Sequence, residues 1–186
     1  MEAVLARLCR RSEISLTQAV KLPYLVDVVA QHVLGREIVG ATYEAWEHGV
    51  VAREAWRAIR HKPTLASLSV REHQWSETGL SVRAAGTIPE GVLTPEEQEI
   101  VDFIAEKYVS WTATALGALT KDMNPHIDKT EWGTNRKAAT DEEAYFRMSD
   151  EWRETQRRLR CQDLDDKSKW GDEIGDPKEY LRRVLG

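Results

Sequence analysis

The sequence predicts a mainly α, α+β fold: a compact helical domain with a small β-hairpin, followed by a charged helical C-terminal extension. Three observations carry this. Apolar residues recur at spacings of three and four through residues 17–34 and again after Pro95, the period of a helix with one buried face. Residues 65–86 switch to alternation, the period of a half-buried strand. Charge then thickens towards the end, with 12 Lys+Arg and 13 Asp+Glu in residues 135–186 against 14 and 18 in residues 1–134.

Val4, Leu5 and Leu8 fall on one side of a short helix within residues 2–11, and Ser12 to Ser15 breaks it. Thr17 is the expected N-cap of a helix running to Leu34. Its stripe is Leu22, Val26, Val29 and Val33, widened by Leu25 and Val28, with Lys21, Asp27 and Gln31 set away from it. Pro23 conflicts with this reading, because an interior proline removes a backbone bond and clashes with the preceding turn at about 3 kcal/mol. A kink at Pro23, or a helix that begins there, would each resolve the conflict. Gly35 is the expected stop, and residues 35–40 form a loop.

Thr42 to Ile59 is the stretch around which the rest is expected to pack. It begins extended and aromatic at Tyr43 and Trp46, is interrupted at Gly49, and ends as a helix with Ala52, Ala55, Trp56 and Ile59 on one side. Lys62-Pro63 ends that helix. Leu68 and Val70, then Leu80, Val82 and Ala84, alternate with polar residues on either side of the turn-rich Ser76-Glu77-Thr78-Gly79, which predicts a β-hairpin. Residues 88–92 are a surface linker.

Leu93-Thr94-Pro95-Glu96-Glu97 is the clearest helix start: Thr94 can cap, Pro95 suits the first helical position, and Glu97 completes a capping box. Ile100, Phe103, Ile104 and Tyr108 continue the stripe. A second helix, about Ala113 to Lys121, follows a break at Ser110-Trp111-Thr112. Residues 122–135 read as loop. Thr140, with Glu143 completing a capping box, is expected to start a helix of about twenty residues with a thin apolar face of Tyr145, Met148, Trp152 and Leu159. Asp176-Pro177 opens a last short helix. The organisation expected is one domain over residues 1–135 and a charged extension over residues 136–186, packed on the core or on a partner.

A chain of 186 residues that is 41 % hydrophobic, with seven Trp, can build a core without disulfides or metals. Mean hydropathy is −0.52, and no apolar run approaches the ~18 residues of a membrane span. The N-terminus lacks a secretory pattern, so a cytoplasmic protein is expected. Net charge is −5, which disfavours general nucleic-acid binding, since that begins with phosphate neutralisation, and suits a basic protein partner that the field would steer.

Catalytic and metal-binding signatures are wanting. Cys9 and Cys161 lie far apart and form no CxxC or Cys/His cluster. His32, His48, His61, His73 and His126 form no HxH or HExxH pattern. There is no Gly-x-Ser-x-Gly turn, and the glycines at 35, 40 and 49 are too dispersed to cradle a phosphate. No enzyme and no cofactor are expected. The helices at 95–121 offer a DNA-binding regulator as the alternative function. Against it, Ala113 to Lys121 carries none of the Arg, Asn or Gln that read base edges. Trp46, Trp56 and Trp111 are expected in the core, and Trp75, beside the hairpin turn, as a partner anchor.

Three strings taken together resemble a known family: Lys21-Leu22-Pro23-Tyr24-Leu25-Val26-Asp27; Gly35-Arg36-Glu37-Ile38; and Tyr43-Glu44-Ala45-Trp46-Glu47-His48-Gly49-Val50-Val51. The match is to the Panacea antitoxin domain, which includes SocA-like and phage-associated GepA-like antitoxins. The Leu93–Glu97 helix start and the Leu116, Leu119, Thr120 segment follow in the family's order, with Trp132 standing for its downstream Trp. The resemblance covers about residues 15–135. Pro23 replaces an apolar residue of the pattern, Val50 a proline, and Lys121 a histidine.

The resemblance implies an antitoxin of a bacterial or phage toxin–antitoxin system. Its partner would be a cognate protein toxin encoded nearby, neutralised by direct contact, with delivery to an AAA+ protease as a branch of the same theme. Tyr43, Trp46, His48 and Gly49, with Trp75 and with Trp152 on the helix 141–162, are the residues expected to form or border the toxin surface.

Overall fold

The computed structural model describes residues 1–61, 65–72, 79–86 and 91–149. The chain divides into two units, Met1–Tyr145 and Phe146–Gly186, and every described strand lies in the first.

Its elements run α1 (Glu2–Leu8), β1 (Ile14–Ser15), α2 (Leu16–Leu34), β2 (Tyr43–Trp46), β3 (Gly49–Ala52), α3 (Arg53–Arg60), β4 (Leu68–Glu72), β5 (Leu80–Ala84), α4 (Pro95–Tyr108), α5 (Ala113–Asp122) and β6 (Arg136–Lys137), with α6 (Glu142–Met148) crossing into the second unit. Two small antiparallel sheets, in the orders β1-β5-β4 and β3-β2-β6, flank the helices. The α+β class is as the sequence predicts. None of the described helices is long and apolar enough to cross a membrane.

The centre is α2, which packs against α1, α3, α4, α5, β3 and β5. It is therefore more than a one-faced helix: Leu16 and every residue from Ala19 to Ala30 are buried. The expected stripe fails at both margins. Val33 is 59 % exposed, while Lys21 and Asp27, set away from the stripe by periodicity, are 1 % and 0 % exposed. A helix enclosed on all sides shows no polar face, so its polar residues go inward if bonded there.

The helix starts one residue before Thr17. Ser15 is the N-cap, and its hydroxyl and the Gln18 side chain form a reciprocal capping box. Pro23 lies inside the continuous helix, held there by packing on every side. Gly35 ends it in the left-handed conformation, φ 68°, as expected.

The hairpin of β4 and β5 pairs Leu68↔Ala84 through Glu72↔Leu80, as the alternation predicts. The sequence does not foresee two further strand pairings. Ile14–Ser15 pairs with β5, and residues 43–52 form a second hairpin, β2–β3, with Trp46↔Gly49 as its last pair. Ala52, expected in α3, instead ends β3 and caps the helix. The capping box of Thr94 and Glu97 at α4 is present as expected, as is Thr112 as the cap of α5. At α6 the capping bond comes from Asp141, whose carboxylate accepts from Ala144 N, and Thr140 instead donates to Glu37.

Candidate functional site

Three side chains on successive turns of α2 each hold one remote segment. Asp27 holds the loop: its carboxylate accepts from the amides of Ile38 at 2.9 Å, Val39 at 2.7 Å and Gly40 at 2.9 Å, and from the Tyr43 hydroxyl at 2.5 Å. A buried carboxylate is tolerable only when its lone pairs are met this fully. Burial first, and then the charge of Asp27, push the Tyr43 phenol well above its ordinary range.

Tyr24 holds the segment that follows β6. Its hydroxyl donates to the carbonyl of Ala139 at 2.7 Å and accepts from Asn124 Nδ2 at 2.9 Å. Fully buried Asn124 completes the ring, donating also to Thr120 O and accepting from Ala139 N. This strap, with β6, belongs to the first unit, whose boundary lies after Tyr145.

Lys21 holds the β2–β3 tip. Its ammonium donates to the carbonyl of Val50 at 3.1 Å. Burial, helped by the charge of Lys121, lowers it from about 10.5 to about 7. Directly above, Gly49 has φ 105°, and a Cβ there would lie 2.5 Å from Thr120 Oγ1 and 2.9 Å from both Gly117 O and Lys21 Nζ. A Cβ on Gly117 would meet the carbonyl of His48 at 2.6 Å. The tip and α5 thus touch backbone to backbone because both contact residues lack side chains. Val50 N donates to Thr120 Oγ1 at 3.1 Å, and Thr120 donates in turn to Gly117 O. Val50 stands where the resemblance expects proline, and a proline could not make this bond.

Half-buried aromatics surround the tip. The indole of Trp46 donates to Glu44 at 3.0 Å, and Glu44 is paired with Arg53 at 2.9 Å. Trp46 meets Trp56 edge-on at 5.4 Å, and the Arg60 guanidinium lies 6.0 Å from the Trp56 ring. Lys121 sits 5.3 Å over Trp132. Trp111 packs edge-on against Tyr108. Trp46, Trp56 and Trp111, expected in the core, are all half-buried; each is covered on one side by these neighbours. Between the tip and α5 lies a groove of about 470 Å³, lined in part by Thr17, His48, Thr114, Gly117 and Lys121.

Of the residues expected at a partner surface, Trp46 is half-buried and His48 exposed, both at the tip. Tyr43 and Gly49 sit beneath it; both are buried, and both shape it rather than face outward. Trp75 and Trp152 lie outside the described residues. Sequence reasoning missed Lys21, Tyr24, Asp27, Gly117, Thr120 and Asn124. A lysine and an aspartate inside an otherwise apolar run were the available signal. Among the described residues no group of His, Cys, Asp and Glu could hold a metal ion. Cys9 is buried, which pushes its thiol up to about 12, so it is no nucleophile.

The motif strings therefore meet in space as one unit: α2 with the loop, the hairpin and α5 pinned to it by buried polar contacts. A family model described as "Antitoxin SocA-like, Panacea domain" matches residues 20–126, the span that holds this unit apart from the first turn of α2, and the chain belongs to that antitoxin-like family. No curated protein and no solved structure matches it significantly.

Proposed function

We propose that this protein is a non-enzymatic antitoxin that neutralises a cognate protein toxin by direct contact through the β2–β3 tip and its aromatic surround. The observation that carries the reading is the exposed tip itself. Trp46, Trp56 and Trp132 are half-buried around a backbone that Lys21, Thr120 and two glycines hold in place. Rigid aromatics with one face available are the residue type that dominates protein–protein affinity. The antitoxin-like family supplies the class of partner, and delivery of the bound toxin to a protease is a second use to which the same contact could be put.

The test is co-expression with the product of the neighbouring open reading frame. Rescued growth with a stable complex is the expected result, and rescue without one points to protease delivery. Absence of both contradicts the reading. The DNA-binding alternative predicts a salt-sensitive shift of promoter DNA. Nothing in α5 favours it: its exposed positions, Ala113, Thr114, Ala118 and the acidic Asp122, offer little to a base edge.

A further inference from the structure

We propose that the groove between the β2–β3 tip and α5 seats an extended acidic segment of the partner. This rests on the antitoxin reading and adds the chemistry of what the toxin presents there. The groove, about 470 Å³, is lined by Thr17, by His48 and Lys121 and by the first turn of α5, and among the described residues no carboxylate lines it. That sign is opposite to the chain's net charge of −5. In the first turn of α5 the Thr112 hydroxyl accepts from Ala115 N, and the amides of Ala113 and Thr114, with no partner inside the helix, carry its positive end. The groove's open floor is Ala118, exposed and carrying only a methyl, beside Gly117, which the tip already covers, so another backbone can come close at Ala118.

Size fits the same occupant. From Thr114 to Lys121 the helix rises roughly 10 Å, the reach of about three residues of extended chain. Two positive poles at that separation suit carboxylates on one short segment. Nucleic acid is the poorer fit, because its binding needs many phosphate contacts, and α5 brings one lysine and neither Arg nor Asn nor Gln.

The experiment is an amide-shift titration of the isotope-labelled full chain with an octaglutamate peptide at low ionic strength, with a Gly-Ser peptide of equal length as control. Shifts concentrated at His48 and Thr114–Lys121 are expected. Lys121→Gln should weaken binding at least fivefold, and Ala118→Trp, which fills the groove from an exposed position, should abolish it. Shifts elsewhere, or shifts indifferent to both variants, would overturn the proposal. So would equal shifts with a single-stranded oligonucleotide of the same charge. In the growth assay, full rescue by both variants would sink the groove and leave the antitoxin reading standing. Failure of the unaltered chain to rescue would count against the antitoxin reading, while the peptide titration still decides the groove by itself.

Discussion

Lys21 shows what one buried charge does to stability. Its amine is lowered to about 7 in the folded chain and returns to about 10.5 when exposed. Between those values the unfolded chain binds a proton that the folded chain does not, so stability rises with pH across that window, by up to about 1.4 kcal/mol per unit. Below pH 7 both states are protonated and the slope vanishes. Urea denaturation at pH 7, 8.5 and 10 should show the rise in the unaltered chain and a flatter profile in Lys21→Met; equal slopes would contradict the burial argument.

Asp27→Asn is the complementary case. It keeps the shape but turns a donor towards amides and a hydroxyl that need an acceptor, and a cost of about 2–4 kcal/mol is expected in the urea midpoint. Periodicity hid both residues. It assigns polar side chains to the outside, and only tertiary contacts reveal that α2 has no outside over Ala19–Ala30.

Among the elements, the β2–β3 hairpin and α5 behave as one. Gly49→Ala must push against Thr120 and the backbone of Gly117 at a positive φ, at roughly 3 kcal/mol. Gly117→Ala strains the same contact from the other side. Once either has separated the pair, the second has less to disturb, so the double variant should cost clearly less than the sum. Thermal denaturation of the three variants checks this.

Elements with local punctuation were legible in the sequence: the capping box at Thr94, the Gly35 stop, and the alternation of β4 and β5. Those made by long-range pairing were not. Ile14–Ser15 is a strand only because β5 runs beside it, and Arg136–Lys137 only because of β2. The sequence predicts an extended start at Tyr43 and Trp46 but not the return strand, because nothing between Trp46 and Gly49 spells a favoured two-residue turn. The tip is fixed from below, by Lys21 and Thr120.

For the whole molecule, the three motif strings are largely spent on holding this chain's own fold. Lys21, Tyr24 and Asp27 are spent on internal contacts, and so is Tyr43. The candidate site was thus half legible: Trp46 and His48 stand at the tip, whereas the α5 side came into view only with the fold. On the proposed function, specificity for the toxin falls to exposed and half-buried neighbours. Trp46→Ala should lower toxin affinity by roughly 30-fold, about 2 kcal/mol, while the folded state survives; calorimetric titration beside a melting curve separates the two effects.

The most direct test of neutralisation by contact is hydrogen–deuterium exchange of the full chain with and without its toxin. The account predicts protection at residues 43–52 and 113–121. Unchanged exchange there, with protection confined to the α1–α4 side, would contradict it.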